Sequence, residues 1–232
     1  MYKNSDRFLT SFNRIEKMLR DLLINKKDAS FSKAVKILKN SNALIKQYSD
    51  DLLEFAELRN AIVHNKIDMT YAIAEPHDEI VEKIETIEKE LSAPKYVIPT
   101  FQKYVYCFQN TDELSKPLKV IHEKKLSKFP IYEGKTYQGL LTQKGITNWL
   151  ASMEQREEQL KSSYQIKDVL PFENEENSRF IAEDTAIYEA VDLFKEHTSK
   201  GRRLEALLIT KHGNPSERLL GIITAWDILE IS

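Results

Sequence analysis

The 232-residue chain is poor in residues that cross-link or break a polypeptide, and it lacks an excess of charge of either sign. It has one cysteine, six glycines and seven prolines, and 34 basic residues nearly cancel 36 acidic ones. A lone Cys107 has no disulfide partner within the chain, which predicts a reducing, cytoplasmic setting. Six glycines are too few for a loop-rich or all-β architecture. A net charge of -2 excludes a strong whole-protein field for nucleic acid, so binding of RNA would have to rest on a local cluster. No window approaches the roughly 18 apolar residues a membrane span needs, and the opening Met1 to Arg7 has no apolar leader core. With 41% hydrophobic and 30% charged residues the composition is that of a soluble globular protein, and the length favours two domains.

What is present is helical periodicity in the first half. Phe8, Phe12, Ile15, Leu19 and Leu22 recur at steps of four and three, predicting a helix from Asp6 to about Ile24 with Ser5 or Asp6 as its N-cap. A short helix is predicted over Phe31 to Leu38. A long one follows the Asn40-Ser41-Asn42 punctuation, carrying Leu44, Ile45, Tyr48, Leu52, Phe55, Leu58 and Ile62 to an end near His64 and Asn65. Pro76 fits the first turn of a fourth helix, with Ile80, Ile84, Ile87 and Leu91 as its stripe and Pro94 beyond its end. Residues 1–94 therefore read as an all-α up-and-down bundle.

The texture changes at 93–96, where strands begin to mix with helices, starting from an alternating Tyr104 to Phe108 run. Two units align: a strand, a helix (Asp112 to Lys124; Thr185 to Lys195), a second strand (Phe129 to Tyr132; Ala206 to Ile209), a turn, a third strand closing in Gly-x-x-Thr, and a final helix. This is an internal duplication, placed at 95–163 and 164–232. The fold class is thus α+β, a helical bundle followed by a tandem module. The Lys211 to Arg218 stretch carries the Gly and Asn-Pro signals of a hairpin loop, and the Glu154 to Gln159 run reads as the solvated face of a helix.

The residues Phe129-Pro130-Ile131-Tyr132, Gly139-Leu140-Leu141-Thr142 and Gly221-Ile222-Ile223-Thr224-Ala225-Trp226-Asp227 resemble the cystathionine β-synthase (CBS) repeat, two of which pack as a Bateman module. The resemblance covers residues 96–232. It implies an adenosine nucleotide (AMP, ADP or ATP) as effector, its phosphate and ribose hydroxyls met by the Thr and Asp of the Gly-x-x-Thr-x-x-Asp segment. A carboxylate accepts two hydroxyl protons, and a Thr at a helix start sits where free N–H groups favour an anion. The second repeat keeps both groups as Thr224 and Asp227. The first keeps Thr142 but has Gly145 in place of the acid, so one competent site is expected. Its remaining wall is assigned to Phe180 to Asp184, with Ile181 and Ala182 foremost, and to Ala206 to Leu208, whose backbone would read the base. Thr224 and Asp227 equally fit an N-cap and N3 acid that need no ligand. Lys200, Arg202 and Arg203 fit either phosphate contacts or a charged surface loop.

At the end of the long helix, Leu58-Arg59-Asn60-Ala61-Ile62-Val63-His64 groups a cation, an amide and an imidazole without a packing need. In its setting of four helices this segment resembles the HEPN (higher eukaryote and prokaryote nucleotide-binding) domain, whose signature is Arg, a polar residue, three more, then His. At 100° per residue Asn60 and His64 share a face, while Arg59 lies about 140° from His64. One helix therefore cannot pinch a phosphate between them, whereas two copies related by a two-fold axis can. The resemblance implies a homodimer and a metal-independent endoribonuclease with Arg59, Asn60 and His64 as its catalytic set. An alternative reading has His64 and Asn65 ending the helix and Arg59 pairing with Glu54 or Glu57. His77, His122, His197 and His212 have no neighbours at metal-ligand spacing, and Trp149 and Trp226 are expected in the core.

Overall fold

In the computed structural model, residues 3–23, 29–64, 75–155 and 164–229 are described. They group into two units, Met1–Lys95 with Ile187–Glu189, and Tyr96–Ala186 with Ala190–Ser232.

The first unit is helical: α1 (Asn4–Leu22), α2 (Phe31–Leu38), α3 (Ala43–Gln47), α4 (Ser49–His64) and α5 (Asp78–Ser92). Phe8, Phe12, Ile15 and Leu19 of α1 meet Phe31 and Val35 of α2, Leu52, Phe55 and Ile62 of α4, and Val81, Ile84 and Ile87 of α5 in one buried cluster. Phe12 stacks on Phe31 at 4.3 Å, and Phe8 meets Phe55 edge-on at 5.7 Å. Burying such side chains is worth about 1.5–3 kcal/mol each before the entropy of ordering them.

Several expectations shift in this unit. The N-cap of α1 is Lys3, so Ser5 and Asp6 lie inside the first turn and Asp6 acts on the helix dipole rather than as a cap. The long third helix divides at Tyr48, with Asn42 capping the short α3 by accepting from Ile45 N–H. Pro76 precedes α5, whose N-cap is His77. The up-and-down order is also broken. Asn4 bonds Asp78, Arg7 bonds both oxygens of Glu85, and Arg14 pairs with Glu88, so α1 and α5 run parallel.

The second unit opens with α6 (Val97–Thr100) and contains two three-stranded sheets. In the first, β1 (Phe108–Gln109) pairs parallel to β2 (Lys128–Glu133), which pairs antiparallel to β3 (Thr136–Thr142). Helix α7 (Ser115–Lys124) joins β1 to β2, and α8 (Gln143–Gln155) follows β3. In the second, β4 (Ser178–Ala182), β5 (Ala206–Thr210) and β6 (Gly221–Ile223) repeat that order and sense, with α9 (Ile187–Ser199) and α10 (Ala225–Leu229) in the corresponding places. The repeat seen in the sequence is thus a repeat in topology.

The alternating run before Phe108 forms no strand. Gln102 and Lys103 pair with β6 of the second repeat, through the Gln102–Gly221 bridge and the Lys103 N–H to Leu220 carbonyl bond, while Phe108 and Gln109 pair with β2 of the first. Residues between these anchors cross from one sheet to the other and have no ladder to join. Cys107 is accordingly exposed. Trp149 is buried against Tyr164, but Trp226 is 75% exposed, because α10 turns it away from the core that Ile228 enters. Among the described residues no helix is long and apolar enough to cross a membrane, and no group of three His, Cys, Asp or Glu is placed to hold a metal ion. The Glu154 to Gln159 run begins in α8, and its part after Gln155 lies outside the described residues.

Candidate functional site

Strand β6 ends at Ile223, and Thr224 turns the chain into α10. The Thr224 amide and hydroxyl both donate to Oδ2 of Asp227, each at 2.7 Å. Lys103 Nζ donates to Oδ1 at 2.9 Å. Burial by itself would raise the Asp227 pKa, but the bonds from Lys103 and Thr224 outweigh it and hold the carboxyl below the usual range. The carboxylate is therefore charged at neutral pH, with one oxygen committed to Thr224 and the other facing a flexible, partly exposed lysine.

Gly221 explains how Lys103 arrives there. A β-carbon at 221 would collide with the Phe101 backbone carbonyl, so only glycine lets the 101–103 segment lie along β6. The glycine of the Gly-x-x-Thr motif thus serves a close backbone approach, and that approach aims Lys103 at Asp227. Lys103 also lines a cavity of about 490 Å³, together with Tyr104, Cys107, Tyr132 and Arg218. Sequence reasoning missed Lys103, which lies 124 positions from Asp227 and carries no local signal.

The other expected wall residues belong to β4 and β5 of the same sheet. Ala206 and Leu208 are fully buried in a cluster with Leu140, Phe180 and Ile222, and Ile181 is buried next to Ile209 in the sheet register. Strand β5 pairs with β4 along Ala206–Thr210 and with β6 along Leu207–Ile209. Continuing the β5–β6 register one residue past Leu207–Ile223 sets Ala206 opposite Thr224. Ala182 is half-buried at the end of β4, where it bridges to His212. Lys200, Arg202 and Arg203 pair with Glu196, Glu176 and Glu205 respectively.

The first repeat holds a counterpart that the sequence reading lacked. Thr142 ends β3, and its amide and hydroxyl both donate to the carboxylate of Glu173, as those of Thr224 do to Asp227. Asn177 Nδ2 adds a bond to Glu173 Oε2 at 3.1 Å. Burial pushes the Glu173 pKa up, against the opposing pull of the Thr142 and Asn177 bonds. The acid absent at Gly145 is thus replaced from a segment 28 positions later, and the nearest sequence signal was only the gap at Gly145 itself.

In the helical unit, Arg59 is half-buried near the end of α4, and Asn60 is exposed. Arg59 donates to Asn60 Oδ1 at 3.4 Å, and among the described residues no ion pair joins it to Glu54 or Glu57. His64 is the last residue of α4, and its side chain lies outside the described atoms, as does Asn65.

Two parallel-then-antiparallel three-stranded sheets, each closed by a Gly-x-x-Thr turn into a helix, define a tandem β/α module. Residues 167–232 match the CBS domain family, so the second repeat is a CBS domain. No curated protein matches the chain. Among solved structures it is similar to the CBS domain pair of protein MJ0100 in complex with 5′-methylthioadenosine and S-adenosyl-L-methionine, at 14% identity and a TM-score of 0.45 over 60% of this chain and 96% of that one. It is similar to CBSX2 in complex with AMP, at 13% identity and a TM-score of 0.43 over 59% and 95%. A CBS domain-containing protein of unknown function from Kribbella flavida DSM 17836 matches at 10% identity and a TM-score of 0.42 over 56% and 92%.

Proposed function

We propose that this chain is a nucleotide-sensing regulatory protein, in which an adenosine nucleotide binds the second CBS repeat and biases the helical unit. The observation that carries this reading is the Thr224–Asp227 pair inside the residues that match the CBS domain, met by Lys103 from outside that match. Asp227 offers a charged acceptor for the two ribose hydroxyls, and Lys103 is the group that ribose displaces from Oδ1. Once released, Lys103 is a cation beside Thr224, suited to a phosphate. Isothermal titration with AMP, ADP and ATP tests this. Binding of at least one of them that Asp227→Ala abolishes supports it, and heat-silent, shift-silent mixing with all three refutes it.

The effector activity we propose is metal-independent RNA cleavage by a homodimer. Two α4 ends facing across a two-fold axis bring Arg59 of each copy to His64 of its partner, with Asn60 orienting one of them. His64 takes the proton from a 2′-hydroxyl as that oxygen attacks its own phosphate, and Arg59 stabilises the charge that builds on phosphorus. The P–O5′ bond breaks and O5′ takes up a proton in turn, balancing the one His64 removed, which leaves a 2′,3′-cyclic phosphate and a 5′-hydroxyl. Incubation with RNA in EDTA checks the reading: cleavage lost in Arg59→Ala and His64→Ala supports it, and intact RNA overturns it. The near-zero net charge favours a second reading, in which the helical unit is a dimerisation or partner-docking surface without catalysis.

A further inference from the structure

We infer that Glu173 holds the first repeat's ligand site shut, standing in for the acid missing at Gly145, and so limits the chain to one bound nucleotide. The inference rests on the nucleotide reading of the second repeat given above.

The two repeats present the same polar set by different routes. In the second, the acid comes from α10 itself; in the first, it enters from the segment that leads into the second repeat. The two arrangements exclude each other in the first repeat, because a β-carbon on residue 145 would fall on the Glu173 carboxylate. The space an in-place acid needs is already filled.

The closure is also firmer than at Asp227. Thr142 Oγ1 donates to Glu173 and accepts from the Gly145 amide at 3.1 Å, which uses up the hydroxyl proton. Asn177, 4% exposed, clamps Glu173 with the same amide nitrogen that donates to the Leu140 carbonyl. At Asp227 the corresponding clamp is a lysine whose side chain is 41% exposed and free to leave. The cavity left beside Thr142, lined by Lys144, Asn148, Glu173, Asn177 and Arg203 among others, is about 210 Å³, below the roughly 300 Å³ at which ligand pockets begin. Glu205 lies on the same wall as a second carboxylate, already paired with Arg203 and Lys128. An incoming nucleotide would have to expel a satisfied, half-buried acid and meet another.

Two measurements on the full chain test this. Calorimetric titration with AMP should give one site in the wild type, none in Asp227→Ala, and two in the double variant Glu173→Ala/Gly145→Asp, which restores the acid in its usual place. Two sites in the wild type, or one in a folded double variant, overturn the inference. Thermal melting without nucleotide reads the closure separately. Gly145→Ala should lower the melting temperature by several degrees in the wild type, by expelling Glu173 from Thr142, and leave it unchanged or raised in Glu173→Ala, where alanine only favours the helix. An equal loss in both backgrounds shows that Glu173 does not occupy that space. A wild type that binds no AMP, with the melting cycle as expected, sinks the sensing reading and the stoichiometry with it but leaves Glu173 as the clamp on Thr142.

Discussion

Replacing Asp227 by alanine separates what the carboxylate does for the fold from what it does for a ligand. The substitution removes the acceptor of two bonds from Thr224 and one from Lys103. Loss of a helix-start cap costs about 1–2 kcal/mol, and the partly exposed Lys103 pair adds at most about 1 kcal/mol. A total of about 2 kcal/mol corresponds to a melting temperature lower by roughly 4–10 °C for a domain of this size. The pH dependence has a definite sign. The Asp227 pKa is depressed in the folded state, so its contribution is complete above the ordinary carboxylate value of about 3.9 and disappears as pH falls through the lower folded value. The melting gap between wild type and variant should therefore be full at pH 7 and close in acid. Asp227→Asn keeps an acceptor for Thr224 and should melt within a few degrees of wild type. It should still lose nucleotide affinity by ~100-fold or more, since bonds to a charged acceptor are worth about 1.5–3 kcal/mol each. Calorimetry at two pH values, with AMP titration of both variants, makes the comparison. An Asp227→Asn protein that binds as wild type does, or a melting gap that widens in acid, would refute the reasoning.

Other outcomes follow from the same packing. Gly221→Ala should destabilise the second unit by about 1–3 kcal/mol and weaken nucleotide binding, because its β-carbon meets a backbone carbonyl that cannot swing aside and so displaces Lys103; denaturation midpoint and AMP titration report both effects. Trp149→Ala should cost about 3–5 kcal/mol in urea unfolding, whereas Trp226→Ser should stay within about 0.5 kcal/mol, since the first ring is in the core and the second is in water. Arg59→Ala and His64→Ala should each abolish RNA cleavage in EDTA while leaving the melting profile of the chain nearly unchanged.

Much of the architecture was legible because it is written in local periodicity. The stripe from Phe8 to Leu19 and the one from Ile80 to Leu91 specify amphipathic helices whatever they pack against, and the twofold strand-helix-strand-strand-helix pattern shows through in turn residues and Gly-x-x-Thr ends. Boundaries were less legible. Tyr48 interrupts a continuous apolar pattern, and the Tyr104 to Phe108 alternation yields only a two-residue strand, because strand formation needs a partner edge that this stretch lacks while it passes between sheets.

The chain's own residue order decided that there would be a helical half, a duplicated β/α half, and a Thr and Asp three apart at the last helix start. Those features depend on neighbours within one or two turns. Tertiary structure decided that α1 and α5 run parallel, that Lys103 reaches Asp227, and that Glu173 takes the place left open at Gly145. Each of these joins groups that are distant in the chain, and a side chain's reach across a folded core depends on how the backbone is routed, which no local pattern encodes.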